Sequence, residues 1–206
     1  GGLLFSFMCG HIIEGGVGTD DGTTGLFAGG WGSTTYHNVI QYITVASTGN
    51  ATDFGDLTVG RYNLAACSDG TTGVFGGGNG GSNINTMDYV TIQTTGNATD
   101  FGDSTYGRYG AGGASDGSRG VFGSGSTGSS QDALDYITIA TTSNATDFGD
   151  ALGSYILQGG ASNSIRGLFF RDDTSTNSIE YVTIQTTGNT TDFGDLNYGS
   201  PSYGVA

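Results

Sequence analysis

The 206-residue chain has no lysine, five arginines, two histidines, two cysteines and one proline. Each shortage removes a class of function. Without lysine there is no side-chain amine for Schiff-base or other lysine chemistry. With 19 acidic residues against five arginines the formal charge is −14, so the chain lacks a basic footprint for nucleic acid or an anionic membrane surface. Cys9 and Cys67 are too few for a disulfide framework, and they fall at non-equivalent places, so a pair between them is allowed but not implied. No apolar run approaches the ~20 residues that cross a bilayer, the longest being Gly2 to Met8. That run lacks the basic flank of a signal peptide, and the first residue is Gly rather than Met. A single proline rules out a proline-rich linker, and 41 glycines without a three-residue period rule out collagen. No window of about ten residues joins apolar 3.6-residue spacing to helix caps, so no helix is expected.

What the chain has is aromatic and regular. Eleven Tyr and eleven Phe are present, and a phrase of Tyr-(Ile/Val)-Thr-(Ile/Val), a polar stretch and Asn-x-Thr-Asp-Phe-Gly-Asp occurs four times. Its tyrosines are Tyr42, Tyr89, Tyr136 and Tyr181 and its phenylalanines Phe54, Phe101, Phe148 and Phe193, both series stepping by 47, 47 and 45 residues. A fixed period of this size means one supersecondary unit stacked on copies of itself. Hydrophobic content is only 35%, but a disordered chain does not set its aromatics on a grid. Seventeen of the 19 acids are Asp, since only Glu14 and Glu180 are Glu. Many sit in turn contexts such as Asp20-Asp21-Gly22, Asp69-Gly70 and Asp116-Gly117, where Asp bonds nearby backbone. They read as solvated turn carboxylates of a soluble, salt-adapted protein.

Within one period the second copy shows the unit. Arg61 to Ser68 is a candidate first strand and Asp69 to Thr72 its turn, followed by a short second strand, Gly73 to Gly78. Asn79 to Thr86 is a loop, and Met87 to Thr94 is the clearest strand, β-branched and aromatic with period-two alternation. After a turn at Thr95 to Ala98, Thr99 to Asp103 is a short outer strand or a crossing to the next unit. The second strand recurs at Gly25 to Gly30, Gly120 to Gly125 and, degraded, Gly167 to Asp172. Four strands in 47 residues select an all-β fold, a β-propeller of four-stranded antiparallel blades. The units run roughly 11–56, 57–103, 104–150 and 151–195, with a partial 196–206, as one propeller domain or segment over 1–206. Equal spacing makes His11 to Gly18 the first unit's opening strand and Leu196 to Ala206 the opening strand of a further one. Either that last strand closes the ring with N-terminal residues, or the chain is a segment of a longer propeller; the Gly start and mid-unit stop favour the second.

The unit resembles the kelch-type repeat. Arg61 and Arg108 stand at that family's first-strand Arg, and Gly29-Gly30 and Gly76-Gly77 serve as its glycine doublet. Tyr42, Tyr89, Tyr136 and Tyr181 match its tyrosine, and the four phenylalanines replace its later aromatic. Ile13, Ser154 and Ser200 depart from the Arg position, and Phe170-Arg171 from the doublet. The resemblance covers about residues 11 to 206 and implies architecture rather than activity, because kelch domains serve enzymes, adaptors and adhesins alike. The wording of Tyr136 to Asp150 is also similar to repeats in structural or fibre-like proteins of tailed phages, especially marine ones, which implies a place on a virion surface.

The repeated motifs read more simply as architecture than as sites. Asp53/Asp56, Asp100/Asp103, Asp147/Asp150 and Asp192/Asp195 pair carboxylates three residues apart, yet a calcium loop needs a denser series of acids. The expectation is that Asp caps the crossing turn and Phe wedges between blades. Asn50, Asn97, Asn144 and Asn189 head glycosylation sequons, but strict recurrence within a turn fits the tolerance of Asn for positive φ. The run Gly76 to Gly81 lacks the Lys and helix of a phosphate loop. His11 and His37 lie in one unit, too few for a copper-radical site, and no nucleophile elbow or Arg cluster with a Tyr-Glu pair is present.

An enzyme is therefore not expected, nor are a catalytic residue, a cofactor or a metal. Recognition is expected in the loops between second and third strands, Gly32 to Val39, Asn79 to Thr86, Ser126 to Leu134 and Asp172 to Ser178. Trp31, Tyr36 and His37 are the side chains suited to stacking on a sugar or touching a protein. The expected function is a non-catalytic structural or adhesive virion component, a phage tail, fibre or other surface protein. Its partners would be other virion proteins or copies of itself, with a host surface glycan as ligand, no nucleic acid and no membrane insertion. The alternative is a secreted or cell-surface lectin-like propeller outside any virus.

Overall fold

The computed structural model describes residues 4–7, 24–32, 34–155, 159–170 and 177–197. Sixteen strands and, among the described residues, no helix form four antiparallel four-stranded sheets arranged as a four-bladed β-propeller. Blade 1 holds β1 (Leu4–Phe7), β2 (Thr24–Trp31), β3 (Val39–Thr44) and β4 (Thr52–Asp56). Blade 2 holds β5 (Ala65–Ser68), β6 (Thr72–Gly76), β7 (Thr86–Thr91) and β8 (Thr99–Asp103). Blade 3 holds β9 (Gly112–Ser115), β10 (Arg119–Ser126), β11 (Ser130–Thr138) and β12 (Thr146–Tyr155). Blade 4 holds β13 (Gly159–Ser162), β14 (Arg166–Phe170), β15 (Ser178–Thr183) and β16 (Thr191–Asp195). In each sheet the strands pair in chain order, as consecutive hairpins do. The first strands of neighbouring blades face one another, β5 against β9 and β9 against β13. They lie so close that a Cβ on Gly113 or Gly160 would collide with the carbonyl of Ala66 or Gly113.

Turn chemistry explains the hairpins within a blade. Asp69 Oδ1 accepts the backbone N–H groups of Thr71 (2.8 Å) and Thr72 (2.6 Å), and Asp116 does the same for Ser118 and Arg119. Asn163 takes that place in blade 4, bonding Ile165 and Arg166. These are the local side-chain bonds expected of the Asp-Gly turns.

Asp-Phe-Gly-Asp is a bulged strand. Between Ile40 and Gln41 the β3–β4 register skips Phe54, and the same irregularity recurs opposite Met87/Asp88, Leu134/Asp135 and Ile179/Glu180. The extra residue bends the strand and aims the ring out of the sheet. The following glycine is held at φ +150° in Gly55, +135° in Gly102, +143° in Gly149 and +139° in Gly194, a conformation L side chains rarely adopt. Each ring meets its own blade's tyrosine edge to face, with centroids 5.9–6.1 Å apart and planes at 78–79°. Phe54, Phe101 and Phe148 are buried at 3%, 2% and 2% exposure.

Those phenylalanines wedge between blades, as expected. Phe54 packs with Leu26 and Ile40 of its own blade and with Phe75, Val90 and Ile92 of the next. Phe101 packs with Met87 and with Phe122, Ile137 and Ile139. Phe148 packs with Leu134 and with Phe169, Val182 and Ile184. Backbone polarity is satisfied across the same joints. Ala98, Ala145 and Thr190 N–H groups each donate over 2.8 Å to the carbonyl of Asp56, Asp103 or Asp150.

Two expectations about these turns are corrected here. It is the sequon asparagine, not the aspartate, that caps: Asn97, Asn144 and Asn189 accept the N–H of Asp56, Asp103 and Asp150 at 3.0–3.1 Å. The described residues other than glycine with positive φ are Asn63 and Ser124, so the sequon asparagines recur for their side-chain acceptor, which reaches the preceding blade, and not for a left-handed backbone.

Two strand assignments and the glycine doublet also differ from expectation. The strand beside β2 is Leu4–Phe7, not His11 to Gly18; the latter, with Ile13, Glu14 and Cys9, lie outside the described residues, as do Ser200 and all of Leu196 to Ala206 beyond Asn197. Arg61 to Leu64 belong to the crossing between blades rather than to β5. The doublet is Gly77-Gly78, not Gly76-Gly77. Gly29-Gly30 (φ +71°, +132°) and Gly77-Gly78 (+66°, +107°) match in conformation, and Gly30 and Gly78 N–H donate to the carbonyls of Arg61 and Arg108.

In blade 3 the doublet's place is taken by Ser124-Gly125, with Ser124 at φ +55° and its buried hydroxyl without a partner among the described residues. Ser124→Gly should therefore raise stability by about 1 kcal/mol in urea unfolding, by removing both penalties. The reverse change, Gly77→Ser, puts a Cβ 2.6 Å from the Arg108 carbonyl and should cost at least about 2 kcal/mol.

Cys67 is buried and free, and burial, with Asp69 adding to it, pushes its thiol far above the ordinary 9.0. The unfolded thiol ionises as pH passes that value while the folded one stays protonated, so stability present at neutral pH declines above about pH 9. The decline should be shallower in Cys67→Ala than in the parent when urea midpoints at neutral and alkaline pH are compared.

Candidate functional site

The loop joining β2 to β3 is short and pinned at both ends. Gly32 N–H donates to Thr35 O (2.9 Å), His37 N–H to Gly30 O (2.9 Å), and Trp31 and Tyr36 face each other as bridge partners. The crossing from blade 1 to blade 2 runs alongside: Arg61 N–H donates to His37 O (3.1 Å), and Leu57 N–H to Asn38 O (2.7 Å). Tyr62 follows Arg61 and exchanges both backbone bonds with Asn79 of blade 2 (3.1 and 2.9 Å).

This framework gathers aromatic rings. Tyr62 stacks on Tyr36 with centroids 6.0 Å apart and planes at 8°, and on Trp31 at 5.9 Å and 30°. Trp31 is 43% exposed and Tyr36 38%, with Tyr62 half-buried beneath them. The edge of Tyr36 borders Gly81 in the second blade's loop, where Asn79 bonds Gly81 N–H and Asn83. His37 is half-buried, its Nε2 turned toward Gly32. Trp31 and Tyr36 are thus brought together, with His37 beside them and facing Gly32 rather than the stack. Nothing in the sequence around Tyr62 marks it as a site residue. The signal available was the dipeptide Arg61-Tyr62, repeated as Arg108-Tyr109, and repetition made it look purely architectural.

The loops differ from one another as expected, though not all are loops. Ser126 to Leu134 is mostly strand, because β10 and β11 extend until only Thr127 to Ser129 turns, closed by Thr127 N–H to Ser129 O. Most of Asp172 to Ser178 lies outside the described residues, and so does His11.

Arg61, next to Tyr62 in the chain, forms a buried ion pair. Arg61 and Asp88 are both at 0% exposure, with Nη2 3.0 Å from Oδ2, and Asp88 also takes the Thr58 hydroxyl (2.6 Å) and N–H (3.1 Å). Burial holds the Arg61 guanidinium below its usual range, partly offset by the charge and hydrogen bond of Asp88. Arg61 Nε and Nη1 have no partner among the described residues. The equivalent Arg108 is better served, bonding Asp135 (2.7 Å) and the carbonyls of Ala133 and Phe122, with its guanidinium over Tyr106. In blade 4 the acid is Glu180, which accepts Leu152 N–H and the Thr190 hydroxyl. In blade 1 the matching position is the neutral Gln41.

Among the described residues no three His, Cys, Asp or Glu side chains converge as they would around a metal ion, and no helix is long and apolar enough to cross a membrane. No protein-family model and no curated protein matches the chain.

Because the Arg61 backbone fixes both Gly30 and His37, its ion pair positions the aromatic stack. Asp88→Ala strands a buried guanidinium and should cost about 3–5 kcal/mol in urea unfolding, whereas Arg61→Met with Asp88→Leu should be close to neutral. Gln41→Ala, at the uncharged position, should stay within about 1 kcal/mol of the parent.

Proposed function

We propose that the chain is a non-catalytic structural and adhesive component of a virion surface, a tail or fibre protein of the kind its repeat wording resembles. Its kelch-like propeller presents an aromatic platform to a host surface glycan. The observation that carries this reading is the stack of Trp31, Tyr62 and Tyr36, with two of its rings open to solvent on a pinned backbone. Aromatic rings offer large, rigid, apolar faces with a polar edge, which suits the C–H face of a sugar ring. Neither a metal nor a basic charge is required, in keeping with a chain at −14. The loop bonds that hold the rings fix their spacing before a ligand arrives, which lowers the cost of binding.

Trp31 is the only tryptophan, so its fluorescence reports this platform alone. Titration with a panel of soluble oligosaccharides should give a saturable change for at least one sugar class, weak and near a millimolar Kd, about 4 kcal/mol. Tyr36→Ala and Tyr62→Ala should abolish the response while circular dichroism stays that of the parent. No response across the panel would overturn the glycan reading. Absence of label on virions probed with antibody against this chain would overturn the virion placement and leave the lectin-like propeller outside a virus.

A further inference from the structure

The aromatic platform is bordered on its Tyr36 side by neutral groups of the second blade. The loop joining β6 to β7 leaves Asn79, which exchanges backbone bonds with Tyr62, and returns where Ile84 N–H donates to Gly78 O (2.9 Å). Between these points the loop is held by its own amides. Asn79 Oδ1 takes Gly81 N–H (2.9 Å), Asn79 Nδ2 donates to Asn83 Oδ1 (3.1 Å), and Gly80 N–H donates to Ser82 O (3.1 Å). A Cβ on Gly81 would lie 3.6 Å from Tyr36 Cε2 and 3.9 Å from its hydroxyl, so the loop tip meets the polar edge of that ring. Gly81 and Ser82 are exposed and Asn83 is half-buried. The loop thus brings a hydroxyl and an amide to the platform, with no charge on either.

The positive charges of the chain are engaged elsewhere. There is no lysine. Arg61 and Arg108 lie in buried ion pairs with Asp88 and Asp135, and the unpartnered Nε and Nη1 of Arg61 are themselves buried. Arg119 sits over the Tyr136 ring at 4.2 Å with Nη1 on Ile184 O (3.0 Å), and Arg166 over Tyr181 at 4.4 Å, both in blades 3 and 4. Arg171 is outside the described residues. Among the described residues no arginine is open to a ligand on the platform, and the whole chain carries −14.

We propose that the platform takes uncharged sugars and disfavours acidic ones, with the loop from Asn79 to Asn83 meeting the sugar's hydroxyls. This rests on the glycan reading of the platform, though not on a virion placement. A neutral sugar lays its C–H face on an exposed ring and turns its hydroxyls to amide and hydroxyl groups, which both donate and accept. A carboxylate or sulfate in the same place loses water and finds no cation in exchange, within the negative field of the chain. Leaving the wrong ligand's charge unpaired gives discrimination without weakening the contacts of the right one.

The test follows the fluorescence of Trp31, the only tryptophan, in the full chain at neutral pH. An ionic strength of about 0.01 M lets charge act over about 30 Å. The probes are disaccharides of glucose, galactose and mannose, each beside its uronic acid and the uncharged uronamide of the same size. For a disaccharide that binds, the uronamide should stay within about twofold in Kd and the uronate should be weaker by at least about tenfold, or about 1.4 kcal/mol. Ser82→Arg changes an exposed side chain and keeps the carbonyl that Gly80 bonds. It should tighten the uronate by about threefold or more, with the neutral sugar and the circular dichroism unchanged. A uronate that binds as tightly as its uronamide overturns the proposal and leaves the glycan reading standing. A uronamide as weak as the uronate also overturns it, because size and not charge then sets the limit. If Ser82→Arg leaves the uronate unimproved, the role assigned to the loop falls. No response to any probe overturns the glycan reading itself, and this inference with it.

Discussion

The constraint on which the molecule depends is the bulge in each blade's outer strand. One residue too many, a phenylalanine, is forced out of register, and a glycine at strongly positive φ absorbs the bend. The displaced ring leaves its own sheet's hydrogen-bonding pattern and becomes the plug of the next sheet's core. Edge-to-face contact with the blade's own tyrosine fixes its direction, and the neighbouring asparagine satisfies the amide that the bulge frees. One repeat unit cannot bury its hydrophobic face alone, so packing blade against blade supplies the core. The loudest words of the sequence, Tyr and Asp-Phe-Gly-Asp, are the two halves of that one device.

The aromatic platform is a by-product of the same joints. The crossing that carries the chain from blade 1 to blade 2 must bury its arginine, and the partner acid on the third strand, Asp88, holds it there. Once the Arg61 main chain is fixed, Gly30 and His37 bond to it and the β2–β3 loop has little freedom. Trp31 and Tyr36 then converge on Tyr62. Blade 3 repeats the arginine and the acid but closes its loop as a tight hairpin, so the scaffold is shared while, among the described residues, the stacked rings stand at the first joint. Rigid support with variable dressing is the usual division of labour between a sheet and its loops.

Sequence alone showed much of this, and the failures have identifiable causes. Thr99 to Asp103 was legible as a short outer strand, and Met87 to Thr91 by its alternation, because both patterns are local. The wedge role of Phe was legible because architecture repeats. The first strand was misplaced since equal spacing was assumed: β1 ends at Phe7 and β2 begins at Thr24, whereas β5 and β6 are parted only by Asp69 to Thr71. The asparagine was misread because its partner is an amide about 40 residues away, which no local rule reports. Tyr62 is illegible for a similar reason: its stacking partners belong to another blade's loop. Trp31 and Tyr36 stood out only as unusual residues in a variable segment, and their contact needed coordinates.

The asparagine bonds carry one more consequence, for how the chain folds. Donor and acceptor in the three joints are separated by 41, 41 and 39 residues, a nearly constant distance that never exceeds one repeat. No described joint requires the ends of the chain to find each other, so the entropy of closing each one is about the same. Folding can nucleate at any adjacent pair of blades and spread in either direction, as in a linear array with nearest-neighbour coupling. Blades 2 and 3 each hold two of the described couplings. The aromatic platform spans one of these couplings, the joint of blades 1 and 2, so it is assembled as soon as those two blades dock.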